Sequence, residues 1–205
     1  MHWLTIDGYR LPKPCGGHPA VDFCNTRAGW GARPHPRQEW LKDYDRFAVW
    51  ARHVGLLDHS ATELIRGAAR RDPGEGSAVL AQATRFRAAL YPTLLRPADA
   101  ADFQQVAELA RRAASAAVLV EDEPGGTARW TLPHSLGPEL PLLAVAGAAA
   151  ELLCRPERRL VRACPGDGCG WLFLDRRGRR RWCSMSDCGN RAKVRMHAAR
   201  RRART

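Results

Sequence analysis

Apolar residues recur at helical spacing through much of the chain before residue 154. Between residues 38 and 57 they fall three and four positions apart, which predicts an amphipathic helix. Ser60 and Glu63 have the spacing of a capping box, so a second helix should begin there and end at "DPGEG". Three further helices are predicted at 77–95, at 97–114 starting from Pro97, and at 138–156, the last of them apolar nearly all round and therefore buried.

Short runs of β-forming residues accompany these helices. "HWLTIDGY" and "PAVDFCNTRA" are each predicted as a strand, the second because its apolar and polar residues alternate. Runs at 117–121 and 127–132 flank "DEPGG" and predict a hairpin. The predicted fold class is therefore α+β, with a mostly helical N-terminal domain that contains a small antiparallel sheet.

Charge divides the chain into two parts. The 205 residues include 33 Lys and Arg against 21 Asp and Glu, a formal net charge of +12. Residues 155–205 hold 16 of the basic and 4 of the acidic residues, whereas residues 1–154 hold 17 of each sign. We place a domain boundary between 154 and 155 and expect the second domain, 155–205, to bind a polyanion such as nucleic acid.

Several protein classes lack support in the sequence. The first residues do not resemble a secretory signal, and no stretch approaches the roughly 18 apolar residues of a membrane helix. A cytoplasmic protein without a membrane partner is therefore predicted. Phosphate loops, nucleophile elbows and H-E-x-x-H motifs are missing, which favours a function other than catalysis.

Four cysteines are spaced as metal ligands. Cys164, Cys169, Cys183 and Cys188 follow the pattern C-x4-C-x13-C-x4-C. Structural zinc takes four tetrahedral ligands, commonly two from each of two short segments, and the glycines of "CPGDGC" allow the tight turn that this requires. We predict one structural Zn²⁺. The open alternative is a thiol-based redox sensor whose cysteines are oxidised by peroxide with loss of zinc.

The residues around the cysteines predict a treble-clef finger. "WLFLD" alternates and "RRWC" returns after a turn at Gly178, which predicts a hairpin. Ser184 is a good N-cap for a helix that would carry Cys188 in its first turns. Val194 and Ala198 mark a face of this helix that could pack on the zinc module.

The final helix is rich in arginine, which makes forked contacts to phosphate and to guanine. We predict duplex DNA as its partner; RNA or ribosome binding is the alternative, and scarce aromatic stacking residues weaken it. The candidate contacts are Asn190, Arg191, Lys193, Arg195, Arg200, Arg201, Arg202, Arg179 and Arg180.

Polar residues also crowd one early segment. They could line a ligand pocket with a tryptophan wall, or they could cap turns and satisfy buried backbone groups. The candidate pocket residues are His18, Asp22, Asn25, Arg27 and Trp50.

The stretch "WCSMSDCGNRAKVRMHAARRR", with "CPGDGCGWLFLDRRGRRR" before it, closely resembles the CGNR zinc-finger family. Segments "GGHPAVDFCNTRAGW", "DYDRFAVWARHVGLLD" and "RFRAALY" are similar to the ABATE domain found with that finger, although Cys24 stands where an aliphatic residue is expected. The resemblance implies a bacterial stress-induced transcription regulator with a DNA-binding treble clef and a ligand-sensing N-terminal domain. The four cysteines match the zinc positions, and Asn190 and Arg191 match the signature polar pair. Nucleoid association, RNA polymerase, a small-molecule effector and a homodimer partner are further expectations.

Overall fold

A computed structural model describes residues 3–30, 38–95 and 99–202. Its helices are α1 Pro19–Cys24, α2 Tyr44–His53, α3 His59–Arg71, α4 Pro73–Leu94, α5 Ala100–Ala116, α6 Leu140–Leu153 and α7 Asn190–Arg202. Its strands are β1 Trp3–Ile6, β2 Tyr9–Pro12, β3 Val118–Glu121, β4 Ala128–Thr131, β5 Val161–Ala163 and β6 Leu172–Leu174. The strands form three antiparallel hairpins, β1–β2, β3–β4 and β5–β6, so the α+β class is confirmed.

The predicted strand at 19–28 is wrong, because this segment forms helix α1. His18 Nδ1 accepts a hydrogen bond from Ala20 N–H at 3.3 Å, and Pro19 occupies the first turn, where its missing N–H costs nothing. The helix is buried from Ala20 to Cys24. Burial on every side removes the one-sided apolar pattern that would have identified a helix.

Aspartates fix the ends of the longer helices. Asp43 accepts from Arg46 N–H at 2.8 Å, so α2 begins later than its apolar pattern suggested. Asp58, not Ser60, caps α3. Asp72 accepts from Glu75 N–H at 3.0 Å, so "DPGEG" both ends α3 and begins α4. The predicted start of α5 at Pro97 lies outside the described residues.

Helix α6 lies at the centre of the core. It is apolar on nearly all sides, with Glu151 the exception, and packs against α1 and α5. By length and composition alone the segment His134–Leu153 is long and apolar enough to cross a membrane, contrary to the prediction that no stretch approaches that length. Half of its most apolar window is buried inside the fold. An apolar core helix passes the same test.

A buried arginine lies beside this core. Arg87 is 2% exposed. Its guanidinium donates to Glu39 Oε1 at 3.0 Å and also contacts Glu39 Oε2 and the Thr26 hydroxyl. The ion pair is needed because a buried guanidinium without a carboxylate partner is strongly unfavourable.

The last hairpin continues the same core. Leu172 pairs with Ala163, and Leu174 with Val161, and all but Ala163 are buried against the helices. The predicted return strand at 180–183 is therefore wrong, since β6 pairs with β5 upstream. Asp175 Oδ1 accepts from the N–H groups of Arg179 and Arg180 after β6, and these bonds turn the chain away from the hairpin.

Candidate metal centre

The first two cysteines lie in the turn between β5 and β6. Cys164 N–H donates to the Trp171 carbonyl at 2.7 Å, and Cys169 N–H donates to the Gly166 carbonyl at 2.9 Å. A Cβ atom at Gly166 would lie 2.9 Å from Cys188 Sγ. Glycine is therefore required at 166, because the backbone approaches the sulfur cluster too closely for a side chain.

The second two cysteines lie at the π-turn Met185–Gly189, with Cys183 before the turn and Cys188 within it. Gly189 N–H donates to the Ser184 carbonyl at 3.0 Å, and α7 follows directly. Ser184 occupies the predicted N-cap position, but its hydroxyl contacts Ser186 Oγ at 3.0 Å and makes no capping bond. The cysteine pair thus sits at the N-terminal side of α7, as the treble-clef arrangement requires.

The four sulfur atoms converge on one point. All four Sγ atoms lie within 4.8 Å of one another, and Cys183 Sγ is 3.7 Å from both Cys169 Sγ and Cys188 Sγ. Four sulfurs at about 2.3 Å from a tetrahedral zinc ion are about 3.8 Å apart. The geometry therefore fits one Zn²⁺ closely, with all four ligands buried and no position left for a reactive water.

The helical domain holds the first cysteine turn in place. Gly29 N–H donates to the Cys169 carbonyl at 3.0 Å, and the Tyr91 hydroxyl donates to the Gly170 carbonyl at 2.7 Å. The ring of Tyr91 stacks on Trp30 with centroids 3.9 Å apart. Hydrogen bonds and ring packing therefore hold the first cysteine turn of the metal centre against the helical domain.

Two of the predicted DNA contacts, Arg191 and Arg180, have hydrogen-bond partners at the metal centre. Arg191 Nη2 donates to Cys188 Sγ at 3.1 Å, and this hydrogen bond raises the pKa of Arg191. Arg180 Nη2 donates to the carbonyls of Cys15 and Cys183, with its guanidinium over the Phe173 ring. These arginines offset the negative charge of a four-thiolate site.

No residue of helix α7 is buried, and all of its residues except Ala192 are exposed. Val194 is 61% exposed, so the predicted packing of a Val194 and Ala198 face on the zinc module is wrong. Arg195 lies 3.1 Å from Asp167, and both side chains are largely exposed. Within residues 190–202, Lys193 and Arg200 form no ion pair or hydrogen bond with another described residue.

The other predicted contacts also lie on exposed surface. They are Asn190 at the start of α7, Arg201 and Arg202 at its end, and Arg179 in the turn after β6. A groove of about 420 Å³ separates this turn from α7 and is lined by Arg179, Arg181, Trp182, Lys193 and Met196 among others. Sequence reasoning did not find this groove, because it depends on where the turn after β6 is placed.

The five predicted pocket residues have structural contacts. Asp22 accepts from Cys15 N–H at 2.8 Å and Gly16 N–H at 2.7 Å, and Asn25 exchanges two hydrogen bonds with the Leu172 backbone. His18 caps α1, and burial lowers its pKa. Arg27 lies over the Trp30 ring, and Trp50 is 1% exposed in the core.

A larger groove lies elsewhere in the helical domain. It measures about 790 Å³ and runs between the α2–α3 loop, α5, β4 and α6, with Trp130, His134, Ala144 and Gly147 among its lining residues. None of the five predicted pocket residues lines it. The small residues of α6 on this side are the sequence signal that could have indicated a groove.

Comparison with protein families matches both parts of the chain. The ABATE family model, described as "putative stress-induced transcription regulator", matches residues 17–156. The CGNR zinc-finger model matches residues 160–201. Comparison with curated proteins gives no match.

Proposed function

The chain belongs to the ABATE family and carries a CGNR zinc finger, and from this premise we propose that it regulates transcription by binding duplex DNA through α7. The observation that carries the proposal is the exposure of α7. Six of its 13 residues are basic, none is acidic, and none is buried. A helix of this length spans about 20 Å and fits the major groove.

One face of α7 is best placed to meet DNA. Arg191 and Arg195, four residues apart, share the face that contacts Cys188 and Asp167. Lys193 and Arg200, seven residues apart, share a different face on which their charges are unpaired by described residues. We assign Lys193 and Arg200 to the DNA-facing side and Arg191 to positioning of the metal site.

The turn after β6 extends this basic face. Arg179 and Arg181 line the groove of about 420 Å³ opposite Lys193. Basic side chains on both sides of a groove can contact phosphates along one strand, and Asn190 at the exposed start of the helix has an amide suited to adenine. Arg201 and Arg202 would add phosphate contacts beyond Arg200.

Fluorescence anisotropy with labelled duplex DNA tests the proposal. We expect the double substitution of Lys193→Ala with Arg200→Ala to weaken binding by about tenfold or more, because two phosphate contacts are lost. The matched control combines Arg111→Ala with Arg129→Ala, which removes two exposed arginines of the helical domain and should leave the affinity unchanged. Equal affinities for both double variants, or preference for single-stranded RNA over duplex DNA, would contradict the proposal.

A further inference from the structure

A fifth cysteine lies against the metal centre. Cys15 is half-buried and packs on the cluster that contains the four ligands. The four ligands are buried, whereas Cys15 is partly exposed. Of these five cysteines, Cys15 is the most exposed to solvent.

The backbone of Cys15 is fixed on both sides. Its N–H donates to Asp22 Oδ1 at 2.8 Å, and its carbonyl accepts from Arg180 Nη2 at 2.9 Å. The same nitrogen donates to the Cys183 carbonyl at 2.6 Å. A single guanidinium nitrogen thus holds the backbones of Cys15 and Cys183 side by side.

The two remaining cysteines have no such placement. Cys24 is 0% exposed in the core, and Cys154 is exposed at the end of α6, outside the cysteine cluster. Exposure alone therefore does not single out Cys15. The position of Cys15 beside the four ligands distinguishes it from Cys154, because a disulfide requires a second sulfur within reach.

We propose that Cys15 is an oxidation site that forms a disulfide with Cys183, with hydrogen peroxide or an organic hydroperoxide as the oxidant. The Cys15 sulfur attacks one peroxide oxygen as the thiol proton passes to the leaving oxygen; the O–O bond breaks, and Cys15 becomes a sulfenic acid as water or an alcohol leaves. The Cys183 sulfur then attacks the sulfenic sulfur, the S–O bond breaks, and the leaving hydroxide takes the Cys183 thiol proton, or one from solvent, and departs as water. Two cysteines lose two electrons in total, and the peroxide gains them.

The disulfide changes the metal centre directly. Cys183 can no longer serve as a thiolate ligand, so the zinc ion keeps three of its four sulfurs. Cys183 and Cys188 are the ligands that tie the π-turn before α7 to the cysteine turn between β5 and β6. Loss of zinc would therefore release the start of α7 from the cysteine turn. The inference concerns retention of the metal, and it does not depend on whether α7 binds DNA.

Zinc release measured with a colorimetric indicator during peroxide treatment tests the inference in the full-length zinc-loaded protein. We expect Cys15→Ser to slow release by about tenfold or more, because oxidant must then reach a buried ligand. Cys154→Ser is the matched control and should release zinc at the rate of the unmodified sequence.

Peptide mapping of the oxidised unmodified protein supplies a second readout that needs no variant. The inference predicts that a Cys15–Cys183 disulfide appears in step with zinc release. A first disulfide between two of the four ligands, or zinc release from Cys15→Ser at the unmodified rate, overturns it. Zinc release does not involve DNA, so its failure would leave the proposed DNA binding untouched.

Discussion

Asn25, directly after α1, holds β6 through two hydrogen bonds to the Leu172 backbone, here called the polar clamp. Replacing Asn25 with alanine removes this clamp. The Asn25 side chain donates to the Leu172 carbonyl at 2.9 Å and accepts from Leu172 N–H at 2.7 Å. Asn25 is 2% exposed and Leu172 is 0% exposed. Water therefore cannot replace the lost partner without entering the core.

The expected cost follows from the two backbone groups that lose their partner. Each buried polar group left unsatisfied costs about 1–3 kcal/mol, so Asn25→Ala should lower the free energy of unfolding by about 2–6 kcal/mol. For a protein of this size about 1 kcal/mol corresponds to about 2–4 °C in Tm, which predicts a fall of about 10 °C.

Thermal unfolding at saturating zinc, followed by circular dichroism, measures this cost. Asn190→Ala is the control, because Asn190 is exposed and its loss should change stability by no more than about 0.5 kcal/mol. A Tm for Asn25→Ala within about 2 °C of that control would refute the reasoning, since the clamp would then contribute nothing net.

Three further predictions concern the core, the metal and pH. Glu39→Ala should lower the free energy of unfolding by about 3–5 kcal/mol in chemical denaturation, because buried Arg87 loses its carboxylate partner. Gly166→Ala should reduce zinc affinity in a competition titration with a chelator, because the new Cβ would lie 2.9 Å from Cys188 Sγ, and unchanged affinity would be inconsistent with the observed turn. Burial raises the pKa of Asp22, so its contribution to stability is full below its ordinary pKa near 3.8 and is lost as pH rises through the raised value. As pH rises through that range, the Tm of Asp22→Asn should therefore increase relative to the Tm of the unmodified protein. A Tm difference that does not change with pH would argue against a raised pKa.

Spacing alone was enough to predict the metal centre. The two C-x4-C pairs and the glycines between Cys164 and Cys169 are local features, and the structure brings all four sulfurs together. The hairpin at β3–β4 was likewise predictable from its local turn. Such features depend on short-range geometry, which the sequence encodes directly.

Strand pairing was not predictable in the same way. The segments at 161–163 and 180–183 are both short and both carry arginine, so composition cannot decide which one pairs with β6. The choice depends on tertiary contacts, namely burial of Val161 and the clamp from Asn25. Helix α1 was missed for a related reason, since full burial removes the periodic pattern.

The hydrogen-bond partners of the polar residues between positions 18 and 27 were also not predictable from the sequence. Asp22 and Asn25 suggested a pocket, yet the groups they bond lie in the loop at 15–16 and in β6. Their partners at distant positions can be identified only once the chain is folded. The turn-capping alternative matches their observed hydrogen bonds.

The salt dependence of duplex DNA binding tests the central claim. This claim is that α7, positioned by the zinc site, binds DNA through the face that carries Lys193 and Arg200. In a plot of log affinity against log salt concentration, each phosphate contact contributes a slope of about −0.9. For the zinc-loaded protein, we expect the slope of log affinity against log salt concentration to become shallower by about 2 when Lys193 and Arg200 are both replaced with alanine. An unchanged slope in that double variant would contradict it.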